Sequence, residues 1–430
     1  MTETPGQSSP EPPDNAWQND QYLGRIDREP EPPPRHELEE LNARILDPAT
    51  AMAVQDITPR PTVYVGPRLI VGAHRDIDEV LELLEPIAAR LGWQVAIDPN
   101  FPRSRAQGRE GERGIGVTRL LISIRGAGAT VAPDGWVLLQ NARAEHGIDA
   151  LIGVGLDHVL SISGPVGHSN PVGHSNPVGH SNPYAGQALA SYAIQGTGGR
   201  QPVSYVGPEP YRRPDHEIKG RRPVVGILDT GCGEHDWLPP TIVRRDVTLD
   251  GDPIGYGNSS PNPHPEYGGD HVGPLDGALD PLSGHGTFIA GLVRQACPDA
   301  NLVAWRIVKS SGPIVESDWI DALARLVELV RRHAEADPNG MALDVLNLSM
   351  GYYHETPIDK LFDPTIYHLL KLLGKCGVTI VCSAGNDATA RPQFPAAFAP
   401  WVNGRGPVST REDCVPIVSV GALNPDLRSV

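Results

Sequence analysis

The chain has 430 residues and carries 52 acidic against 36 basic side chains, a formal net charge of −16. This acidic balance argues against a nucleic-acid partner and against a basic membrane patch. No apolar run approaches the ~18 residues of a membrane span, and the N-terminus lacks the basic and apolar regions of a secretory signal. As written, the sequence predicts a cytoplasmic protein, and a misassigned start codon would leave secretion open.

The first 60 residues form an acidic, proline-rich tail. They contain ten prolines and 12 acidic against 5 basic side chains. Because such a composition offers little apolar surface to offset the entropy cost of ordering the chain, we expect most of residues 1–60 to be disordered.

Residues 61–163 show the pattern of a small α+β domain. The predicted elements are, in chain order, strand Thr62–Val71, helix Asp76–Leu91, strands Trp93–Ile97 and Thr118–Ile124, helix Pro133–His146 and strand Leu156–Ile162. The first helix repeats apolar residues with a 3.6-residue period, although Pro86 lies inside it. The order βαββαβ is typical of a ferredoxin-like fold.

Residues 164–215 predict a linker. The hexapeptide PVGHSN occurs three times between Pro165 and Asn182, and its proline and glycine interrupt any helix or strand. Three histidines at this spacing also suggest metal binding. The repeats supply no carboxylate or cysteine to complete a ligand shell, so the linker interpretation is favoured.

Residues 216–430 alternate between apolar strands and amphipathic helices. The predicted elements are strand Pro223–Leu228, helix His285–Gln295, strand Asn301–Val308, helix Ser317–His333, strand Asp344–Ser349, helix Thr365–Leu373 and strands Val378–Cys382 and Pro416–Val420. Such alternation predicts an α/β domain with a doubly wound parallel sheet.

Three polar residues lie where catalytic groups gather in such a sheet, at the carboxyl ends of strands or at the start of a helix. Asp229 ends the strand VVGILDTG, His285 begins a helix in SGHGT, and Asn386 follows the strand VTIVCSAGN. The tripeptide Asp-Thr-Gly also occurs in aspartic proteases. That alternative needs a second copy or a homodimer and an all-β fold, which the predicted helices contradict.

The ordered set of motifs resembles the subtilisin-like serine proteases (subtilases, S8-type peptidases). The resemblance implies that Asp229 orients His285, that His285 is the general base, and that the Asn386 amide lines the oxyanion hole. It also implies a peptide or protein substrate, and an inhibitory prodomain in residues 61–163 that acts in cis, as in a zymogen. An unrelated small α+β domain is the alternative for residues 61–163. No certain cofactor is implied, although aspartates of the loop 250–283 could hold a structural Ca²⁺.

The resemblance also identifies substrate-binding segments. Ser349, Met350 and Gly351 match the family's strand that pairs with the substrate backbone. The next residue, Tyr352, replaces the usual glycine and is expected to reshape a specificity pocket. Ser383, Ala384 and Gly385 precede Asn386 and are expected to line the same cleft.

The nucleophile is not recognisable in the sequence. The serines after Asn386 are Ser409, Ser419 and Ser429, and none lies in the family's G-T-S-x-A/S-x-P setting. We therefore expect a serine endopeptidase precursor whose peptidase domain, residues 216–430, is truncated before its catalytic serine. The alternative is a non-catalytic pseudoprotease that keeps the peptide-binding cleft.

Overall fold

The structure is a computed structural model of the chain. It describes residues 29–30, 32–33, 35–54, 58–101, 114–126, 131–162, 208–257, 264–267, 282–309, 312, 314–356, 365–385, 387, 389–400 and 414–421. Among these residues, no helix is both long enough and apolar enough to cross a membrane.

The N-terminal unit contains a four-stranded antiparallel sheet with two helices. Its elements are β2 (Thr62–Val65), β3 (Arg68–Gly72), α2 (Ile77–Arg90), β4 (Trp93–Ile97), β5 (Val117–Ile124), α3 (Gly135–His146) and β6 (Val154–Gly155). The sheet order is β4-β5-β3-β6, the order of a ferredoxin-like fold. The predicted α+β architecture is therefore confirmed.

The long amphipathic helix of this unit forms as its sequence predicts. Asp76 caps α2 by accepting hydrogen bonds from the backbone amides of Asp78 and Glu79. The apolar face buries Val80, Leu84 and Ile87 against the sheet. Pro86 is accommodated inside the helix, which runs on to Arg90.

The tail is more ordered than its composition predicts. α1 (Arg35–Leu41) leads into β1 (Ala43–Leu46), which pairs antiparallel with β2 from Ala43 opposite Val65 to Leu46 opposite Thr62. The expectation of disorder is therefore wrong for these residues, because strand pairing and burial of Leu46 supply the contacts that composition alone does not reveal. Residues 1–28 lie outside the described part of the chain.

The C-terminal unit is built on a six-stranded parallel sheet. Its strands are β8 (Val224–Asp229), β9 (Val243–Arg244), β12 (Asn301–Arg306), β14 (Val345–Leu348), β16 (Thr379–Ser383) and β17 (Ile417–Val420). Their order in the sheet is β17-β16-β14-β8-β12-β9. A short antiparallel pair, β10 (Thr248–Leu249) and β11 (Asp252–Pro253), precedes the next helix.

Helices cover both faces of this sheet. α4 (His285–Ala296) packs on the face that carries Ile227 and Leu302. α5 (Glu316–Ala334) and α6 (Thr365–Lys375) contact each other and share a core with the neighbouring residues Leu228 and Val303, which point to the opposite face. The doubly wound α/β fold is therefore confirmed.

The end of the predicted linker packs on the C-terminal unit. The Arg212 guanidinium donates to the Ala300 carbonyl at 2.5 Å, and the Arg213 guanidinium lies 2.8 Å from Asp299. Residues 208–215 therefore contact the C-terminal unit through these charged side chains, although residues 208–214 form no helix or strand, and the linker assignment stays a prediction. The PVGHSN repeats lie outside the described residues.

One strand joins the two units. The sequence assigns Leu156–Ile162 to the last strand of the N-terminal sheet, but β6 takes that place and β7 (Val159–Ile162) leaves the sheet. β7 instead lies between β13 (Ile314–Val315) and β15 (Met350–Gly351) of the C-terminal unit, in a small antiparallel sheet. Leu160 accordingly belongs to a hydrophobic cluster built mainly from residues of the C-terminal unit.

Candidate active site

Asp229 occupies the carboxyl end of a central strand. β8 runs between β12 and β14, and Asp229 is its last residue, with no exposed surface. Its Oδ1 accepts a hydrogen bond from the Thr230 backbone amide at 2.7 Å and lies 3.1 Å from the Thr230 hydroxyl oxygen. The adjacent backbone amide therefore helps to fix the orientation of this carboxylate.

His285 pairs with Asp229. Nδ1 of His285 lies 2.7 Å from Asp229 Oδ1, and the imidazole is about 12% exposed. Because a carboxylate can only accept, the proton of the neutral ring lies on Nδ1. This tautomer leaves the Nε2 lone pair as the basic site of the ring, the arrangement needed for a general base.

Two glycines set the approach of the helix that carries His285. Gly284 precedes α4 with φ of 78°, a left-handed conformation that suits glycine. A Cβ at Gly286 would lie 2.1 Å from the Gly231 carbonyl oxygen, so no side chain fits there. The helix can therefore begin directly against the loop that follows Asp229.

The predicted substrate strand forms an open edge that β7 fills. Met350 of β15 pairs with Ile162 and Gly351 with Ser161, while on the other side Ile314 of β13 pairs with Leu160. Ser349 lies between β14 and β15, and its hydroxyl accepts a hydrogen bond from the Asn347 side-chain amide at 3.0 Å. A segment of this chain thus already lies, as an added strand, where the sequence places the substrate backbone.

The SAGN motif, residues 383–386, begins at the end of β16, the strand next to β14. Ser383 is the last residue of β16, and the Ala384 amide donates to the Val420 carbonyl at 2.9 Å. Gly385 adopts φ of 91°, and its amide donates to the Ser383 hydroxyl at 3.2 Å. Asn386 lies outside the described residues, so its role in an oxyanion hole stays a prediction.

The family comparison agrees with this arrangement. Residues 220–428 match the model described as the subtilase family, Peptidase S8. Residues 220–428 belong to the subtilase family. The match includes the strand of Asp229, the helix of His285 and the SAGN segment. Asp229 and His285 therefore lie within the domain that the family model identifies.

Solved structures similar to the chain include two proteases. Fervidolysin from Fervidobacterium pennivorans, a keratinolytic enzyme related to subtilisin, shares 14% identity at a TM-score of 0.36, covering 88% of this chain and 52% of its own. The epidermin leader peptide processing serine protease from Staphylococcus aureus shares 15% identity at a TM-score of 0.36, and the match covers 83% of this chain and 69% of that protease. This chain therefore spans about half the length of fervidolysin. No curated protein sequence matches the chain significantly.

The subtilase domain contains an acidic residue at the site that no motif indicates. Glu266 accepts hydrogen bonds from the hydroxyls of Thr230 and Thr287, the residues that follow Asp229 and His285 by one and two positions. Burial raises the pKa of Glu266, while the hydrogen bonds from the two threonines lower it. The loop that carries it has no periodicity or family motif, so no pattern in the sequence indicates this contact.

Tyr352, which is expected to reshape a specificity pocket, lies among aromatic rings of both units. Its phenol is buried and stacks on His158 of the N-terminal unit at 4.8 Å between ring centroids, with Phe394 at 5.9 Å. Tyr352 also lines a cavity of about 160 Å³ beside β7. The expected effect of Tyr352 on specificity remains a prediction.

Two further predictions concern residues that the structure describes only in part. Much of the loop 250–283, including 258–263 and 268–281, lies outside the described residues, so structural Ca²⁺ stays a prediction. Of the three serines after Asn386, only Ser419 is described, and it lies within the strand β17.

Proposed function

We propose that the subtilase domain belongs to a serine endopeptidase precursor that hydrolyses peptide bonds by an Asp-His-Ser mechanism. The observation that carries the proposal is the hydrogen bond between Asp229 and His285 at the carboxyl edge of the sheet. The buried Asp229 carboxylate would hold the His285 tautomer and stabilise the imidazolium once Nε2 has taken the serine proton. A serine supplied by a setting not recognisable in these 430 residues would be the nucleophile.

The substrate in this proposal is an extended peptide. β13 and β15 present two strand edges, and a peptide between them would gain backbone hydrogen bonds from both. The amide of Asn386 would donate to the tetrahedral oxyanion, an interaction whose loss costs about 3 kcal/mol of transition-state stabilisation. Attack by the serine would form an acyl-enzyme, and His285 would return the proton to the leaving amine.

The N-terminal unit would act as a prodomain in cis. Its β7 lies between β13 and β15, so it competes directly with a substrate strand. This placement supports inhibition by occupancy, because a peptide could pair with these edges only after β7 leaves.

The test uses a fluorophosphonate probe, which labels activated serines. The 430-residue chain is expected not to label. A chimera in which a relative's G-T-S-x-A segment follows Val430 is expected to label, and His285→Ala in that chimera should remove the labelling. Stoichiometric labelling of the unextended chain would show that another serine of these 430 residues acts as the nucleophile. A folded chimera that binds peptides without labelling would instead favour the pseudoprotease.

A further inference from the structure

We infer that Glu266 is a positioning residue that holds the Asp229 and His285 segments in register with each other. The inference deepens the proposed function, because the Asp–His pair matters for proton transfer only if that mechanism holds. The geometric claim, that the pair depends on Glu266, can be examined without turnover.

The Glu266 carboxylate bridges two segments that are far apart in the chain. Oε1 accepts from the Thr230 hydroxyl, and lies 3.3 Å from the Gly286 amide. Oε2 accepts from the Thr287 hydroxyl, and lies 3.3 Å from the Thr287 amide. One carboxylate therefore contacts the segment directly after Asp229 and the segment directly after His285.

The two threonines extend this bridge to neighbouring backbone. The Thr230 hydroxyl accepts from the Gly286 amide at 2.8 Å and also lies 3.1 Å from Asp229 Oδ1. The Thr287 hydroxyl accepts from the Gly233 amide at 2.6 Å. Since each threonine oxygen already accepts a backbone hydrogen bond, its proton is directed toward a carboxylate, and Glu266 supplies one for each threonine.

Electrostatics explain why a carboxylate serves better than a neutral group. Glu266 faces the first amides of the 12-residue helix α4, where a negative charge is favoured. It also lies near the Asp229 carboxylate, which raises the Glu266 pKa further. The hydrogen bonds from Thr230 and Thr287 offset this repulsion and favour the charged carboxylate.

A purely structural role for Glu266 is the alternative. Its own loop is closed by local contacts, with the Tyr267 amide donating to the His264 carbonyl at 3.0 Å and the two rings 4.6 Å apart between centroids. If Glu266 only anchored this loop, its removal would lower stability without changing the hydrogen bond between Asp229 and His285. The two roles therefore predict different results.

The experiment monitors His285 by NMR in the full chain labelled with ¹⁵N-histidine, and assigns its signals with His285→Ala. In the unmodified chain we expect the Nδ1–H tautomer and a low-field proton shared with Asp229. Glu266→Ala should remove the low-field proton and shift the ring toward a mixture of tautomers. Glu266→Gln should give a partial change, because its NH₂ cannot accept from the Thr287 or Gly286 amides.

Matched variants separate positioning from general destabilisation. Asp321→Asn removes another largely buried carboxylate, which pairs with Arg325 in α5 away from the site, and should leave the His285 signals unchanged. Thr287→Ser keeps the hydroxyl and should preserve the signals, whereas Thr287→Val should weaken them. Unchanged His285 signals in a folded Glu266→Ala chain would overturn the inference.

Kinetics in the labelling chimera distinguish this inference from the proposed function. There Glu266→Ala is expected to slow fluorophosphonate labelling by about 10²-fold, the scale that misplacement of a catalytic group produces. If the chimera never labels while the NMR changes appear as expected, the proposed function fails and the positioning role stands. If it labels and Glu266→Ala leaves both the rate and the NMR signals unchanged, only the positioning role fails.

Discussion

His158 of the N-terminal unit is hydrogen-bonded by both ring nitrogens to carboxylates of the subtilase domain. Its Nδ1 lies 2.5 Å from Glu316 and its Nε2 lies 2.7 Å from Glu355. The three side chains are buried, so a charged imidazole at this interface is compensated almost entirely by these two partners. The contact lies directly before β7 and fixes the strand at its N-terminal end.

Substitution of His158 should therefore weaken the association of the two units. His158→Ala leaves two buried carboxylates without their partner, and we expect the free energy of unfolding to fall by about 3–5 kcal/mol. Chemical denaturation would measure the change. His216→Ala, at a side chain that is 80% exposed, is the control and should change stability little. Equal effects of the two substitutions would contradict the prediction.

The same cluster predicts a pH dependence of stability. Burial lowers the pKa of His158, but Glu316 and Glu355 outweigh it and raise the pKa from 6.5 to about 10. Because the folded-state pKa is raised, the stabilisation is fully present below pH 6.5 and is lost as the pH rises toward about 10. Burial is the main reason that the pKa of the neighbouring His354 falls to about 4, so His354 stays neutral over this range.

The loss of stability at low pH depends on Glu355. Burial raises its pKa, but His354 and His158 lower it well below the usual 4.5. The carboxylate therefore stays charged as the pH falls through 4.5, and its contribution to stability is lost only in stronger acid.

The pH dependence is measured as the difference in unfolding free energy between the unmodified chain and His158→Ala as a function of pH. A difference that grows between pH 6.5 and 10 would contradict the assignment.

Gly286 should be intolerant of any side chain. Alanine would place its Cβ 2.1 Å from the Gly231 carbonyl oxygen, so the helix α4 would have to move away from Asp229. We expect Gly286→Ala to cost about 3 kcal/mol or more and to disturb the hydrogen bond of His285. Gly291, in the same helix, has open space around its Cβ position, and Gly291→Ala should instead stabilise by up to about 1 kcal/mol. Thermal unfolding of the two variants provides the comparison.

Leu160 should control whether the N-terminal unit stays bound. Its side chain is fully buried in a cluster built mainly from the subtilase domain, apart from the main core of its own unit. After limited proteolysis in residues 164–207, where the sequence predicts the linker, the two fragments should remain associated on gel filtration. Leu160→Asp should release them, because a buried unpaired carboxylate is costly.

The exposed Ser161 provides a matched comparison in the same strand. Ser161→Asp changes a residue that lines the cavity rather than the core, and the fragments should stay together. Association of the Leu160→Asp fragments would show that β7 does not hold the units together.

Local sequence patterns were sufficient to predict the architecture of both units. The apolar period of Ile77–Arg90 and the alternation of strands and helices after residue 216 predicted both architectures, because side-chain burial on one face is a local property of a helix or a strand. The D-T-G and G-H-G-T motifs predicted that Asp229 and His285 lie side by side, since catalytic groups gather at the carboxyl edge of a parallel sheet.

Only the tertiary structure decided how distant segments pair. Nothing in the sequence of Val159–Ile162 distinguishes a strand of its own sheet from one inserted between β13 and β15, because a short apolar segment can pair its backbone with either. The same applies to β1, whose hydrogen bonds come from a partner about twenty residues away. Glu266 became a candidate only when the fold brought Thr230 and Thr287 to its two oxygens, since a carboxylate in an irregular loop has no period that reveals its partners.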